Sequence, residues 1–340
     1  MKKIICCLAL LANSLSLYAA DTIVGAGATF PYPFYSKIFN DYAKISGVRV
    51  NYQAIGSGGG VRQLQNRTVD FGATDAYVSD KLAQKFPGDI IHIPTCIGAI
   101  TLSYNLPGNP KIRLSGALIA DIYMGKVTRW RDPRIMALNS GEKIPDMMIA
   151  VIYRSDGSGT THVFADYMAK VSAEWKKKIG VGKSLNWPTG LGGKGNPGVA
   201  GLIQQIPGSL GYVELVYTLQ NKMPIAAIKN KNGNFILPNL GSVTAAIPEN
   251  LPDDLRFIMT DTEAQYGYPI ASFTWIIAYK EQAYRNKNKA QAKALQDLLK
   301  WTISDGQSYA LPLGYAPLSE QAVKKATILI DSLTYDGQRI

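Results

Sequence analysis

The chain has 340 residues, 46% of them hydrophobic, with 32 glycines and 18 prolines, a composition that excludes a disordered or low-complexity protein and leaves length for two domains. Lysine and arginine outnumber aspartate and glutamate 36 to 25, so negatively charged partners are favoured. Three cysteines exclude a disulfide scaffold, and the two histidines, His92 and His162, exclude a multi-histidine metal site.

Lys2 and Lys3, then the short apolar run 4–12 and the small residues Ala19 and Ala20, read as a secretory signal peptide over residues 1–20. Its removal takes Cys6 and Cys7, leaves Cys96 as the single cysteine, and lowers the net charge to about +9. No later stretch is long and apolar enough to span a bilayer, so a soluble exported protein is expected. Segments 22–26, 48–55, 70–73, 99–104, 148–154, 210–214 and 273–279 read as strands. Tyr35, Ile38, Phe39 and Tyr42 recur at helical spacing, as do Leu295, Leu298, Leu299 and Thr302, and less tightly Val323, Ala326 and Ile330. This alternation predicts an α/β fold with mostly parallel sheets. Two domains without a linker imply a chain that crosses between them more than once, and the extended runs 94–105 and 268–280 suit those crossings.

Three turns follow strands and open helices. They are Gly25-Ala26-Gly27-Ala28-Thr29-Phe30-Pro31, Gly56-Ser57-Gly58-Gly59-Gly60 before a short helix 61–66, and Arg154-Ser155-Asp156-Gly157-Ser158-Gly159-Thr160-Thr161 before a helix running towards Lys178. Free N–H groups at a helix start attract an anion, hydroxyls add donors, and glycine admits close approach. Any one such turn is more often an ordinary helix cap. Three together, one pairing Arg154 with Asp156, outweigh that reading, because ligands of open α/β sheets sit beyond the carboxyl ends of strands. Asp75 ends another strand at the same edge. A carboxylate there only accepts hydrogen bonds, so an anion beside it must carry a proton.

At these residues the sequence resembles the phosphate-binding proteins of bacterial phosphate ABC importers. The likeness covers essentially the whole mature chain, including 25–31, 50–60, 69–75, 121–130, 154–160, 186–195, 207–214 and the closing 315–318. It implies a periplasmic binding protein fold, with lobe I from 21–102 plus 269–340, lobe II from 103–268, a hinge, and phosphate in the cleft between them. Carried over, Ala28, Thr29, Phe30, Ser57 and Asp75 hold phosphate from lobe I. Arg154, Ser158, Gly159 and Thr160 hold it from lobe II, with Asp156 orienting Arg154. Arg154 is then the only formal positive charge against the ligand, so helix dipoles and N–H groups carry much of the neutralisation. Thr74 and Gly58 each stand where the family more often has Ser. The resemblance also implies a monomeric periplasmic protein, no cofactor or metal, and docking on the permease subunits of the importer.

The rival reading is a phosphatase or phosphotransferase using the same anion cleft. It lacks a carboxylate cluster for two metals and a histidine near a nucleophile, His162 being expected on the surface. Gly182-Lys183-Ser184 mimics the end of a P-loop, but Lys177 stands where its first glycine belongs. Gly25-Ala26-Gly27 begins a dinucleotide fingerprint that Phe30 breaks, and Ser158 lacks the glycine a nucleophile elbow needs two residues earlier. A nucleic-acid binder rests on Lys176-Lys177-Lys178 and 285–293 alone, which read as solvated helix faces. Sulfate as the ligand is disfavoured by Asp75.

Overall fold

The computed structural model describes residues 22–340, so the signal peptide read at residues 1–20 lies outside the described residues. The strands are β1 (Thr22–Gly27), β2 (Arg49–Ala54), β3 (Phe71–Thr74), β4 (Ile90–Tyr104), β5 (Arg113–Ser115), β6 (Ala150–Arg154), β7 (Leu191–Gly193), β8 (Ser209–Glu214), β9 (Ala227–Lys229), β10 (Phe235–Ile236) and β11 (Ala271–Tyr279), with a small closing pair, β12 (Thr334–Tyr335) and β13 (Gln338–Arg339). Eight of them form one sheet in the order β2-β1-β3-β11-β4-β8-β6-β7, and β10-β9-β5 form a second.

The α/β class is as expected, but the sheet is not parallel throughout. Its wings are parallel, β2-β1-β3 at one end and β8-β6-β7 at the other. Its middle is antiparallel, because β11 and β4 run against each other and against their outer neighbours β3 and β8. β4 explains this. Its residues from Ile90 to Ala99 pair with β11, and those from Ile100 to Tyr104 pair with β8, so a single strand runs from one wing into the other. All but one of its 15 residues are buried, the pattern of a strand covered on both faces. The sequence marks 99–104 as strand and 94–105 as an extended crossing, and leaves residues 90–93 unmarked because a strand buried on both faces does not alternate.

Local chemistry sets the helices that matter here. The helix Tyr32–Ser46 starts behind Pro31 with Pro33 in its first turn, buries Tyr35, Ile38, Phe39 and Tyr42, and stops at Gly47 in the left-handed conformation. The helix expected at 61–66 begins earlier, at Ser57, and takes Gly58, Gly59 and Gly60 into its first turns. The helix expected to run from Thr160 to Lys178 is two, Gly159–Val171 and Ala173–Lys178, because Ser172 is extended and its side chain accepts from Trp175 N–H to start the second. The apolar repeats near the carboxyl end lie in Lys289–Ile303 and Glu320–Asp331.

One continuous apolar core underlies the sheet, from Phe34 and Tyr35 to Tyr123, Phe164 and Tyr212. Two satellite clusters seat individual helices. Val61 and Leu64 of Ser57–Gln65 pack with Ala26 and Ile277, and Val199 and Ile203 of the helix Gly195–Gln205 pack with Ile152 and Val213. Burying each such side chain contributes roughly 1.5–3 kcal/mol. That seating fixes where each helix start points.

Candidate functional site

Four strand–turn–helix units end at one place. The first follows β1. Ala28, Thr29 and Phe30 are buried, and each of their three carbonyls accepts a tyrosine hydroxyl. Tyr52 donates to Ala28 O at 2.7 Å, Tyr217 to Thr29 O at 2.6 Å, and Tyr315 to Phe30 O at 2.7 Å. In a trans peptide the N–H lies opposite the C=O. Pinning the Ala28 and Thr29 carbonyls therefore turns the N–H groups of Thr29 and Phe30 to the other side. Burial holds the pKa of all three tyrosines well above the usual value, so they remain donors.

The second unit follows β2 and supplies Ser57, whose hydroxyl lies 3.3 Å from Asp75 Oδ2. The third follows β6 and supplies Arg154, Ser158, Gly159 and Thr160. Arg154 grips Asp156 with two bonds, Nε to Oδ1 at 2.8 Å and Nη2 to Oδ2 at 2.6 Å. Its remaining nitrogen, Nη1, reaches Thr160 Oγ1 at 3.3 Å, and only 1% of the side chain is exposed. Burial raises the Asp156 carboxyl, but the Arg154 fork and Gly195 N–H outweigh it and hold the group below its usual range. Ser158 caps the helix Gly159–Val171 by accepting from Thr161 N–H at 3.0 Å. The first N–H groups of that helix, at Gly159 and Thr160, have no partner four residues back.

Asp75, just past β3, lies among these donors and is 1% exposed. Its Oδ1 accepts from Thr274 of β11 at 2.9 Å, and its Oδ2 faces Ser57 and Thr160 hydroxyls at 3.3 and 3.5 Å. Burial pushes its pKa up to about 6, against the pull of Thr274, Arg154, Ser57 and Lys183. Nearby Glu214 has no exposed surface and its Oε1 has no partner, and burial drives its pKa well above the carboxylate range. Burial therefore disfavours a second negative charge beside Asp75.

All nine residues expected around the anion, and Asp156, thus come together. The structure adds residues that the sequence reading passed over. Asn196 comes from a fourth turn, after β7, and donates to Thr29 Oγ1 through both its N–H at 3.1 Å and its Nδ2 at 3.0 Å, and through Nδ2 to Thr160 Oγ1 at 3.3 Å. The signal was present, since Gly192-Gly193-Lys194-Gly195 repeats the strand–glycine–helix signature without a hydroxyl. Arg154 is not the only cation close to the site. Lys183 is largely covered, has no ion-pair partner among the described residues, and its carbonyl accepts Ser158 N–H at 2.8 Å. Burial pushes its ammonium down to about 8, opposed by the charge of Asp75. His162, expected on the surface, is also mostly covered, and burial and the Lys183 charge lower its pKa to about 4, leaving it neutral at pH 7. A cavity of about 400 Å³ opens beside Thr29 and Asp156, bounded by Tyr32, Tyr52, Lys194 and Tyr217.

Comparison with known proteins gives a consistent picture. A family model described as a PBP superfamily domain matches residues 14–306. The chain is 43% identical over 311 residues to the phosphate-binding protein PstS of Xylella fastidiosa strain 9a5c, covering 89% of this chain and 83% of that protein. It is 40% identical over 316 residues to PstS of Haemophilus influenzae, covering 92% and 93%. Among solved structures, the periplasmic phosphate-binding protein PfluDING bound with phosphate superposes with a TM-score of 0.74 at 22% identity, over 92% of this chain and 94% of that one. An ABC-type phosphate transport receptor from Vibrio cholerae gives 0.57 at 16% identity, over 87% and 100%. These two show the shared fold.

The raised pKa of Asp75 has a consequence for stability. Between its ordinary value of 3.8 and about 6 the folded state holds a proton that the unfolded chain has lost. Stability from this group is therefore present below pH 4 and lost as pH rises through 6, a cost on the order of 3 kcal/mol above that window. Asp75→Asn is expected to be more stable than wild type in phosphate-free buffer at pH 7.5, and equally stable at pH 3.5. Denaturant titrations at the two pH values measure this, and a variant less stable at pH 7.5 contradicts the burial of the charge.

Proposed function

The chain belongs to the PBP superfamily and, within it, to the PstS phosphate-binding proteins, and from that premise we propose how it works as the phosphate-capturing subunit of an ABC importer. It is a transport component and not an enzyme. The protein acts outside the cytoplasmic membrane, after export, as a periplasmic solute-binding protein. Among the described residues no helix is long and apolar enough to cross a membrane.

Residues 21–102 with 269–340 form lobe I and residues 103–268 form lobe II, and phosphate lies between them. β4 is the crossing strand about which the lobes hinge. Thr29, Phe30 and Ser57 donate from lobe I through backbone N–H groups and hydroxyls. Arg154 Nη1, Ser158, Gly159 and Thr160 donate from lobe II, and Ala28 lines the turn. Asp156 takes the other two guanidinium positions, so it aims the remaining one at the ligand. Charge-assisted bonds to an ionised acceptor are the strong ones, and here they replace the water that phosphate leaves behind. The enclosed arrangement described above is the closed form. In it each lobe completes the donor shell of the other, which is why binding drives closure. The closed form then docks on the permease subunits of the importer.

The observation that carries the phosphate reading is Asp75. A cleft made only of donors accepts any small anion, whereas this one holds a buried acceptor that no cation touches among the described residues. Phosphate keeps a proton for it at neutral pH.

Two outcomes are expected. Titration with inorganic phosphate gives one saturable site, and at a hundredfold excess over Kd the fold gains roughly 2.7 kcal/mol, seen as a higher Tm, while X-ray scattering shows a smaller radius. A protein whose Tm and radius ignore phosphate is not this clamp. Arg154→Ala loses about 3–5 kcal/mol of phosphate binding, because the guanidinium goes and Asp156 is left unpaired in the cleft. Arg154→Lys recovers only part, since an ammonium cannot hold Asp156 by two bonds and still reach the ligand. Wild-type affinity in the alanine variant removes Arg154 from the site.

A further inference from the structure

The turn after β2 and the turn after β6 meet backbone to backbone. Gly58 N–H donates to the Gly157 carbonyl at 2.7 Å. A side chain on either glycine meets the main chain of the other. A Cβ on Gly58 would lie 3.1 Å from both Cα and O of Gly157, and one on Gly157 would lie 3.2 Å from Gly58 Cα. The close approach extends along both turns. A Cβ on Gly56 would lie 2.2 Å from Asp156 Oδ2, and one on Gly159 would lie 2.5 Å from Ser57 Oγ. Main-chain neighbours move less readily than the end of a flexible side chain, so a Cβ on Gly58 or Gly157 requires the facing turn to give by a few tenths of an ångström.

The place of this contact gives it meaning. Gly58 follows Ser57, and Gly157 precedes Ser158, so the bond lies one residue from an anion donor on each side. We propose that Gly58 and Gly157 form a clasp that sets the register between Ser57 and the Ser158–Thr160 donors and retards release of the bound anion. Both are positioning residues, since neither offers a side chain to the ligand. The inference rests on the two-lobe phosphate reading above. It adds a contact that closes the cleft without using the ligand. Capture begins from the open form, in which the two turns are apart and the bond is unmade. Escape must first break it. Loosening the clasp therefore acts on dissociation and leaves association largely alone.

Alanine is a clean probe, because neither glycine has a positive φ and the backbone itself tolerates a Cβ at both positions. Gly201 is the control, as a Cβ there meets nothing within 4 Å. The experiment measures association and dissociation of inorganic phosphate by stopped flow on the full exported chain and on Gly58→Ala, Gly157→Ala, the double variant and Gly201→Ala, together with each Tm in phosphate-free buffer. The clasp predicts dissociation at least tenfold faster in each single variant, association within threefold of wild type, and a double variant no more than twofold faster than the quicker single one, because both changes remove the same contact. Gly201→Ala releases phosphate as wild type does, and no Tm falls. Unchanged dissociation in both single variants overturns the clasp while leaving phosphate binding standing. So does an effect on association instead of dissociation, or a loss explained by a fallen Tm. Failure of wild type to bind phosphate at all overturns the underlying reading instead.

Discussion

A carboxyl group, Asp75, is buried among hydroxyls from three separate segments with no cation in contact among the described residues, and its ionisation is costly there. In the proposed anion site it is the group that would repel a ligand without a proton. Everything around it offsets that cost or exploits it. Arg154 supplies charge from two bonds away through Thr160, and Lys183 supplies it through space. Glu214, equally buried, has its pKa raised by that burial, which disfavours a second negative charge there. Thr274 fixes the carboxylate orientation from a strand belonging to neither donor turn.

The sheet topology makes this meeting possible. Parallel strands end at one edge, and a turn leaving such an edge presents backbone N–H groups and a helix dipole together. In this chain two parallel wings face each other across an antiparallel middle, so turns from β1 and β2 confront turns from β6 and β7. A single parallel sheet would leave all four turns in one row. The reversal made by β4 and β11 is what turns a row of donors into a shell. The satellite clusters beneath Ser57–Gln65 and Gly195–Gln205 then hold two of the helix starts in position.

The part of this legible in the sequence is the part encoded locally. Glycine and hydroxyl residues directly after apolar strands marked three of the four turns, and Asp75 stood out because a carboxylate is the wrong charge for an anion site. What stayed hidden depends on residues far apart in the chain. Tyr217 and Tyr315 lie 188 and 285 residues from the carbonyls they hold, and nothing near either tyrosine reports that pairing. Asn196 escaped because an amide was not counted as a hydroxyl-like donor, although its turn had the same glycine signature. Lys183 reads in the sequence as a failed phosphate loop and His162 as a surface residue, because covering by residues distant in the chain leaves no periodic trace. The first residues of β4 were missed because a strand buried on both faces does not alternate. Glycines 58–60 read as a loop, yet they are helical, and Gly60 lies where the main chain of β1 and β3 leaves no room for a Cβ.

The central claim is that Asp75 accepts a hydrogen bond from the ligand's O–H and so decides between two anions of the same shape. The direct measurement is competition of sulfate against labelled phosphate at pH 7, in wild type and in Asp75→Asn. Phosphate keeps a proton at that pH and sulfate does not. A site built around a ligand hydroxyl rejects an analogue lacking it by about 10⁴–10⁵. The account predicts that wild type excludes sulfate on that scale. Asp75→Asn should still bind phosphate, because its amide oxygen accepts, and should now bind sulfate, because its NH₂ donates. If wild type and variant exclude sulfate equally, or if wild type accepts it, Asp75 is not the filter and the account is wrong at its centre.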